Sequence, residues 1–313
     1  MAILKSSNVL VTGATGFLGS NLVDALLKKG ASVFSLAHNR KENPPVALAT
    51  SEIIYGDITN LDSIRNIISS KQIEYIFHCA ANPIVKYCSK DPLSCLQVNV
   101  MGTAHILEAA RIVGGIKGIM CMDSDKSYGH NSQQPLKETS ALRPYGIYEA
   151  SKACSGYIAE SYRVNFGLPV FNIRSANLYG PGDRNTSRLI PGTITKVLNN
   201  QQPFLYEGVE NYLRDFLFVT DACQIIIELM EKEFQGIINI GTGTSHRIES
   251  IFQNIFEATG WTRGYEIKPK ATSHLEIREQ VLDTSLLQQQ IPNFSFIELK
   301  EGIKKTIRWY RET

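Results

Sequence analysis

The sequence predicts an α/β fold, a doubly wound parallel sheet with a smaller C-terminal lobe. Three observations carry this. Short apolar runs alternate with amphipathic helical patterns through the first half of the chain. A glycine-rich turn joins the first run to the first helical pattern. After about Ser175 the rhythm breaks, and proline, glycine and asparagine cluster over Asn177–Asn185. Strand–helix alternation at this spacing implies right-handed crossovers and a parallel sheet covered by helices on both faces.

Taken in order, strand-like runs stand at Val9–Thr12, Ser32–Ala37, Glu52–Tyr55, Tyr75–Cys79, Gly118–Met122 and Val170–Arg174. Helical patterns between them cover Leu18–Lys29, Leu61–Ser70, Pro92–Val113 and Ile147–Asn165. Past the break come a short helix, Leu189–Leu198, and irregular strands. Regular pattern returns with Asp215–Val219, the helix Asp221–Glu231 and the strand Ile237–Ile240, and the tail ends in an amphipathic helix, Glu298–Tyr310. The expected division is a nucleotide-binding domain over 1–175, to which 213–243 returns, and a substrate-binding lobe over 176–212 and 244–313.

Composition narrows the function classes. The chain has 313 residues, 43% of them hydrophobic and 20% charged, which is ordinary for a globular protein. A net charge of +2 and the lack of basic runs with interleaved aromatics argue against nucleic acid as a partner. The six cysteines form no CxxC pair and no His cluster completes a metal-ligand spacing, so free, buried or half-buried thiols and no metal are expected. The apolar run Asn8–Thr12 is too short for a signal peptide or a membrane span, and a cytoplasmic location is the expectation.

The turn after the first strand reads Gly13-Ala-Thr15-Gly16-Phe17-Leu18-Gly19. Gly13 permits a tight turn, Gly16 lets the backbone approach a pyrophosphate, and Gly19 lets the helix pack on the strand. The helix N-terminus then faces the negative charge. Placed between a strand and a helix at the start of the alternation, these glycines mark a Rossmann-like dinucleotide site. The second strand ends Leu36-Ala-His-Asn39-Arg40-Lys41, with no carboxylate for a ribose 2′-hydroxyl. Arg40 suits a 2′-phosphate, but a solvated basic turn beside Glu42 explains it equally well. The cofactor is therefore NAD(P), with NAD against NADP open.

The GxxGxxG spacing resembles that of the extended short-chain dehydrogenase/reductases, the NAD-dependent epimerase/dehydratase family, and the resemblance covers essentially the whole chain. It implies that Asp57, with Ile58, contacts the adenine side, that Ala80 and Ala81 in His78-Cys-Ala-Ala81 lie beneath the cofactor ribose, and that Asn99 is a scaffold residue. Tyr148 and Lys152 form YxxxK on a helical pattern, where i, i+4 spacing puts both on one face and lets the ammonium stabilise a tyrosinate. A tyrosine of pKa ~10 needs a shift worth roughly 4 kcal/mol to act as a base near neutrality. With 13 tyrosines in the chain the motif alone is weak, and its weight comes from its place after the fifth strand. Ser124 matches the family's third member, a hydroxyl that bonds the reacting sugar oxygen. Tyr145 offers a competing phenol without a lysine at i+4.

A narrower resemblance rests on a few dozen residues. Met122-Asp-Ser-Asp-Lys-Ser-Tyr-Gly129 is similar to the active-site segment of nucleotide-sugar 4,6-dehydratases, and its Asp125–Lys126 pair to that of CDP-glucose 4,6-dehydratases. The chemistry this implies begins with oxidation at C4 after Tyr148 removes the O4 proton. Lys126 takes the acidified C5 proton, Asp125 protonates the departing C6 hydroxyl, and hydride returns to C6. Lys126 must be neutral to do this. The competing reading is that Asp125 and Lys126 pair with each other at the surface. The resemblance also places Asn177 near the sugar diphosphate, Arg188 and Arg214 on diphosphate or nucleotide, and His274, with Glu276 and Arg278, near the nucleotide. For each arginine a surface ion pair is the alternative. It further implies a homodimer joined through a four-helix bundle of the Pro92–Val113 and Ile147–Asn165 helices. A 4-epimerase or 4-dehydrogenase would share Ser124, Tyr148 and Lys152 without needing the Asp125–Lys126 relay. A non-catalytic NAD(P)-binding regulator would need no YxxxK.

Overall fold

The computed structural model describes residues 3–38, 50–131, 134–269 and 277–313. Seven strands form one parallel sheet: β1 (Asn8–Thr12), β2 (Ser32–Ala37), β3 (Glu52–Tyr55), β4 (Tyr75–His78), β5 (Gly118–Met122), β6 (Val170–Ser175) and, later in the chain, β11 (Gly236–Ile240). Their order across the sheet is β11-β6-β5-β4-β1-β2-β3, so the direction of winding reverses between β1 and β4. The shorter strands between are β7 (Asn177–Tyr179), β8 (Phe204–Tyr206), β9 (Leu213–Arg214) and β10 (Phe216–Phe218). After β11 come β12 (His246–Arg247), β13 (Glu266–Lys268) and β14 (Glu279–Gln280).

Period-two alternation explains how this sheet sits in the core. Val9 and Val11 of β1 pack into one apolar cluster, with Leu22 and Leu26 of helix α1 (Phe17–Lys28). Leu10, between them, packs into the cluster on the opposite face. There it meets Ile64 and Ile68 of α2 (Leu61–Ser70). Further helices are α3 (Val85–Lys90), α4 (Pro92–Leu96), α5 (Gly102–Val113), α6 (Ile147–Phe166), α7 (Leu189–Leu198) and α8 (Val219–Glu231). Ile106 and Leu107 of α5 join the second face, and Ile226 and Leu229 of α8 join the first.

A third apolar cluster lies outside the sheet. It gathers Ile190 and Ile194 of α7, Ile251 and Phe252 of α9 (Ile248–Thr259), and Ile303 and Ile307 of α11 (Leu299–Glu312), the helix that follows α10 (Ser285–Gln290). The small sheets pair β10 with β7, β13 with β8, and β9 with both β12 and β14. Among the described residues no helix is long and apolar enough to cross a membrane.

Three expectations change. The helix expected over Pro92–Val113 is three consecutive pieces, α4, a π-helical turn at Gln97–Met101, and α5. The extra residue per turn is invisible to apolar periodicity, and the buried Asn99 sits inside it. A further short helix, α3, precedes α4. The turn between them, where Asp91 caps α4 through the Ser94 amide, brings Cys88 and Cys95 into a disulfide. The expectation of free thiols fails for this pair, because a seven-residue spacing closes only when the chain doubles back, which a cysteine count does not reveal. Cys79, Cys121, Cys154 and Cys223 are free. Finally, the run Asp215–Val219 yields the shorter β10, which pairs with β7 rather than with the main sheet.

Candidate active site

The glycine loop fits a dinucleotide's diphosphate. Gly13 has φ of 67°, and a Cβ there would lie 2.7 Å from the Ala80 amide nitrogen. A Cβ on Gly19 would collide with the Gly13 carbonyl. Gly16 donates to that same carbonyl at 2.9 Å and is itself exposed. Helix α1 starts at Phe17 with no side-chain cap and no acidic residue in its first turn, so its leading amides keep their affinity for an anion. Thr15 lies in this loop, and Leu18 turns inward to the core.

Beside the loop, Thr12 and His78 are 2.8 Å apart, and the His78 ring reaches Thr103 of α5 at 3.1 Å. Thr12 also accepts from the Ala80 amide at 3.1 Å, which fixes Ala80 and Ala81 next to Gly13. Burial, with Lys152 nearby, pushes His78 down to about 3, so it is a neutral strap. Asp57 accepts from the Thr59 amide at 2.8 Å and stands 3.8 Å from His38. Burial would raise its carboxyl, but Thr59, His38 and His105 outweigh that and hold it low. Ile58 is buried under α5, where a Cβ on Gly102 would strike its side chain. Asn99 braces the next turn: it accepts from the Asn82 amide at 2.6 Å and donates to Ser151 of α6 at 2.9 Å. Asn39, Arg40, His274 and Glu276 lie outside the described residues.

The end of β5 and the start of α6 bring Ser124, Asp125, Lys126, Tyr148 and Lys152 to one place. Ser124 caps the 3-10 turn Asp125–Tyr128, accepting from the Lys126 amide at 3.2 Å and donating to Asp125 at 3.2 Å. Tyr148 is 8% exposed whereas Tyr145 is 71% exposed, so the phenol inside the site is Tyr148. Burial pushes the Tyr148 phenol up to about 12, against the pull of Arg188 and a hydrogen bond with Ser124. Lys152 is buried and donates to the Met122 carbonyl at 2.7 Å. Its burial depresses the ammonium, while Asp123 opposes the shift.

Asp125 is buried rather than paired at the surface. Burial raises its carboxyl to about 6, against the attraction of Lys126 and Arg214. Lys126 is half-buried. On the far wall Arg188 meets Asp183 at 3.3 Å, and its guanidinium stands 5.9 Å from the Phe17 ring. Arg214 donates to the carbonyls of Leu213, at 2.8 Å, and of Ile277. Asn177 donates to the Asp215 carbonyl at 3.1 Å. Arg278 is exposed.

Three buried carboxylates escaped the sequence reading. Asp183 holds Arg188, Asp215 ties down Thr242 and Gly243, and Asp123 adjoins Ser124. Asp123 stands inside the segment Met122–Gly129, and its place one residue before Ser124 was the available signal.

Known proteins share this fold. The chain is 34% identical, over 63% of its length and 59% of the relative's, to CDP-glucose 4,6-dehydratase of Salmonella typhimurium. It is 26% identical over its full length to a trifunctional UDP-glucose 4,6-dehydratase/UDP-4-keto-6-deoxy-D-glucose 3,5-epimerase/UDP-4-keto-L-rhamnose-reductase of Arabidopsis thaliana, of which it spans 48%. Among solved structures, UDP-glucose 4-epimerase of Thermotoga maritima with UDP-glucose superposes with a TM-score of 0.90 at 26% identity, covering 97% of this chain and 99% of the other. The dTDP-glucose 4,6-dehydratase DesIV of Streptomyces venezuelae, with NAD bound, superposes with a TM-score of 0.88 at 25% identity, covering 97% of each. A family profile matches residues 9–241, and with it the chain belongs to the NAD dependent epimerase/dehydratase family.

Proposed function

We propose that this chain is a nucleotide-sugar 4,6-dehydratase, converting an NDP-hexose of the CDP-glucose kind to an NDP-4-keto-6-deoxyhexose. The observation that carries the reading is Asp125, a buried carboxyl held at about 6, next to Lys126 on the turn that Ser124 caps. A carboxyl with that affinity for its proton suits a general acid near neutral pH. The likeness to CDP-glucose 4,6-dehydratase supports the same activity, and the likeness to UDP-glucose 4-epimerase supports 4-epimerisation as the second reading.

In this reading Gly13, Thr15, Gly16, Phe17, Leu18 and Gly19 hold the diphosphate of NAD(P), Asp57 and Ile58 its adenosine half, and Ala80 and Ala81 its second ribose, with Asn99 as brace. The bound cofactor supplies the hydride acceptor and donor, together with a positive ring charge. Ser124 bonds the sugar O4, and Tyr148, assisted by Lys152, takes the O4 proton. Lys126 removes the C5 proton, and Asp125 delivers a proton to the leaving C6 hydroxyl, so that water departs; hydride would then return to C6 while Lys126 gives a proton back to C5. Asn177, Arg188 and Arg214 grip the nucleoside diphosphate. Residues 1–175 and 213–243 serve the cofactor, and 176–212 and 244–313 serve the substrate.

Two copies associate through α5 and α6, where Ile112 is 45% exposed, Tyr157 60% and Val164 64%, an apolar surface that pairing would cover. Light scattering at micromolar concentration should give twice the chain mass; a monomer would remove the dimer from the account.

The double variant Asp125→Asn, Lys126→Met should oxidise C4 and then stop. Reduced cofactor should accumulate on the enzyme, read by near-ultraviolet absorbance, and turnover to the dehydrated sugar should fall at least about ten-thousandfold, the combined scale of losing one acid and one base. Full dehydration by this variant would refute the assignment of both residues.

The raised Asp125 carboxyl also sets a stability difference. Its affinity in the folded protein, about 6, lies above the ordinary 3.8. Below pH 3.8 both folded and unfolded chains carry the proton, so Asp125→Asn and wild type should unfold alike. Through the window from 3.8 to 6 the wild type loses stability as its unfolded chain ionises first, and above 6 the gap is constant. The variant should then be more stable by roughly 2–3 kcal/mol. Denaturant melts across pH check this, and a gap that grows on acidification would contradict it.

A further inference from the structure

The roles assigned above leave one buried carboxylate at the same place unused. Asp123 is 4% exposed, at the junction of β5 with the Asp125–Tyr128 turn. One of its oxygens accepts from the Ser124 amide at 2.7 Å and from the Ser127 hydroxyl at 2.6 Å. The other accepts from the Asn172 amide at 3.3 Å and stands 3.8 Å from Arg174 Nε. Each of these partners is a donor or a cation, which is the environment of a carboxylate and not of a carboxylic acid.

Helix α6 closes over this group. A Cβ on Gly156, one turn beyond Lys152, would come within 3.0 Å of Asp123 Oδ2 and 2.9 Å of Asn172 Nδ2. Glycine at 156 is what lets the helix approach so closely. Lys152 itself donates to the carbonyl of Met122, the residue before Asp123.

We propose that Asp123 is a positioning residue: one oxygen clamps Ser124 on its turn, while its buried charge holds the Lys152 ammonium and opposes negative charge on Tyr148. The claim rests on the reading of Ser124, Tyr148 and Lys152 given above. The groups that face Lys152 are Asp123, Cys79, Cys121 and His78. Burial keeps both thiols neutral, at about 12, and His78 neutral as well, so Asp123 is the anion of this set. Tyr148 is faced by Arg188, Ser124, Asp123 and Asp125. Burial raises the Asp123 carboxyl, and Lys152, Ser127, Arg174 and the Ser124 amide oppose that shift and favour its ionised form.

Asp123→Asn keeps an oxygen acceptor for Ser124 and Ser127 while deleting the charge. The test titrates tyrosinate absorbance in NAD-saturated protein, subtracting the same titration of a Tyr148→Phe background, so it needs no substrate and no turnover. Failure of the dehydratase reading therefore leaves this result interpretable. The Tyr148 midpoint should fall by about one pH unit in Asp123→Asn, the scale of removing one nearby like charge. Ser127→Ala, which removes a bond to the same oxygen but no charge, should leave the midpoint where it is. Where the Asn variant does not fold, Asp123→Ser is read for the same fall. A midpoint that stays or rises on loss of Asp123, or that falls equally in Ser127→Ala, overturns the proposal.

Discussion

The hydrogen bond from Lys152 to the Met122 carbonyl, 2.7 Å long, is where the twenty-residue helix α6 meets the carboxyl edge of the sheet. A buried ammonium tolerates few positions, because leaving water is costly unless donors find acceptors and a compensating charge stands near. Met122 supplies the acceptor and Asp123 the charge. Once α6 is fixed there, Tyr148 one turn earlier faces the turn that carries Ser124, Asp125 and Lys126. The same placement puts Ser151 in reach of Asn99, and through Asn99 it orders the chain after β4.

The topology makes this edge a crevice. Strand order reverses between β1 and β4, and in doubly wound sheets ligands enter at the carboxyl ends of the strands at such a point. The glycine loop leaves β1 on one side of the reversal, and Ala80 and Ala81 leave β4 on the other. The close approach of Gly13 to the Ala80 amide shows how narrow the gap between them is. Electrostatics there follow burial. It pushes Tyr148 and Asp125 up and His78 down, so their neutral forms are favoured beside Lys152 and Asp123. Groups poised in this way can exchange protons with a reacting sugar without first being stripped of water.

The sheet was legible because its inner strands are buried on both faces and its strands are bounded by turn residues. Ser32–Ala37, Glu52–Tyr55 and Gly118–Met122 match the expected runs residue for residue. That Tyr148 and Lys152 share one face of α6 was legible from their i, i+4 spacing together with their place after the fifth strand, and exposure separates Tyr148 from Tyr145. What escaped depends on tertiary contact. The π-helical turn around Asn99 comes with side-chain bonds to Asn82 and Ser151, 17 and 52 residues away in sequence. The Cys88–Cys95 bond depends on a reversal of the chain at Asp91-Pro92. Asp123 reads as an ordinary flanking acid until Gly156, Asn172 and Arg174 are seen to converge on it.

In a dehydratase, proton abstraction at C5 and loss of water follow oxidation at C4. Incubation of the purified protein with a panel of NDP-hexoses in deuterated water, followed by mass spectrometry and proton NMR of the sugar, tests this directly. The account predicts that one substrate yields a product lighter by one water, ketonic at C4, with deuterium at C5. A C4 epimer of unchanged mass, with its C5 hydrogen retained, would contradict it and assign the chain to epimerisation.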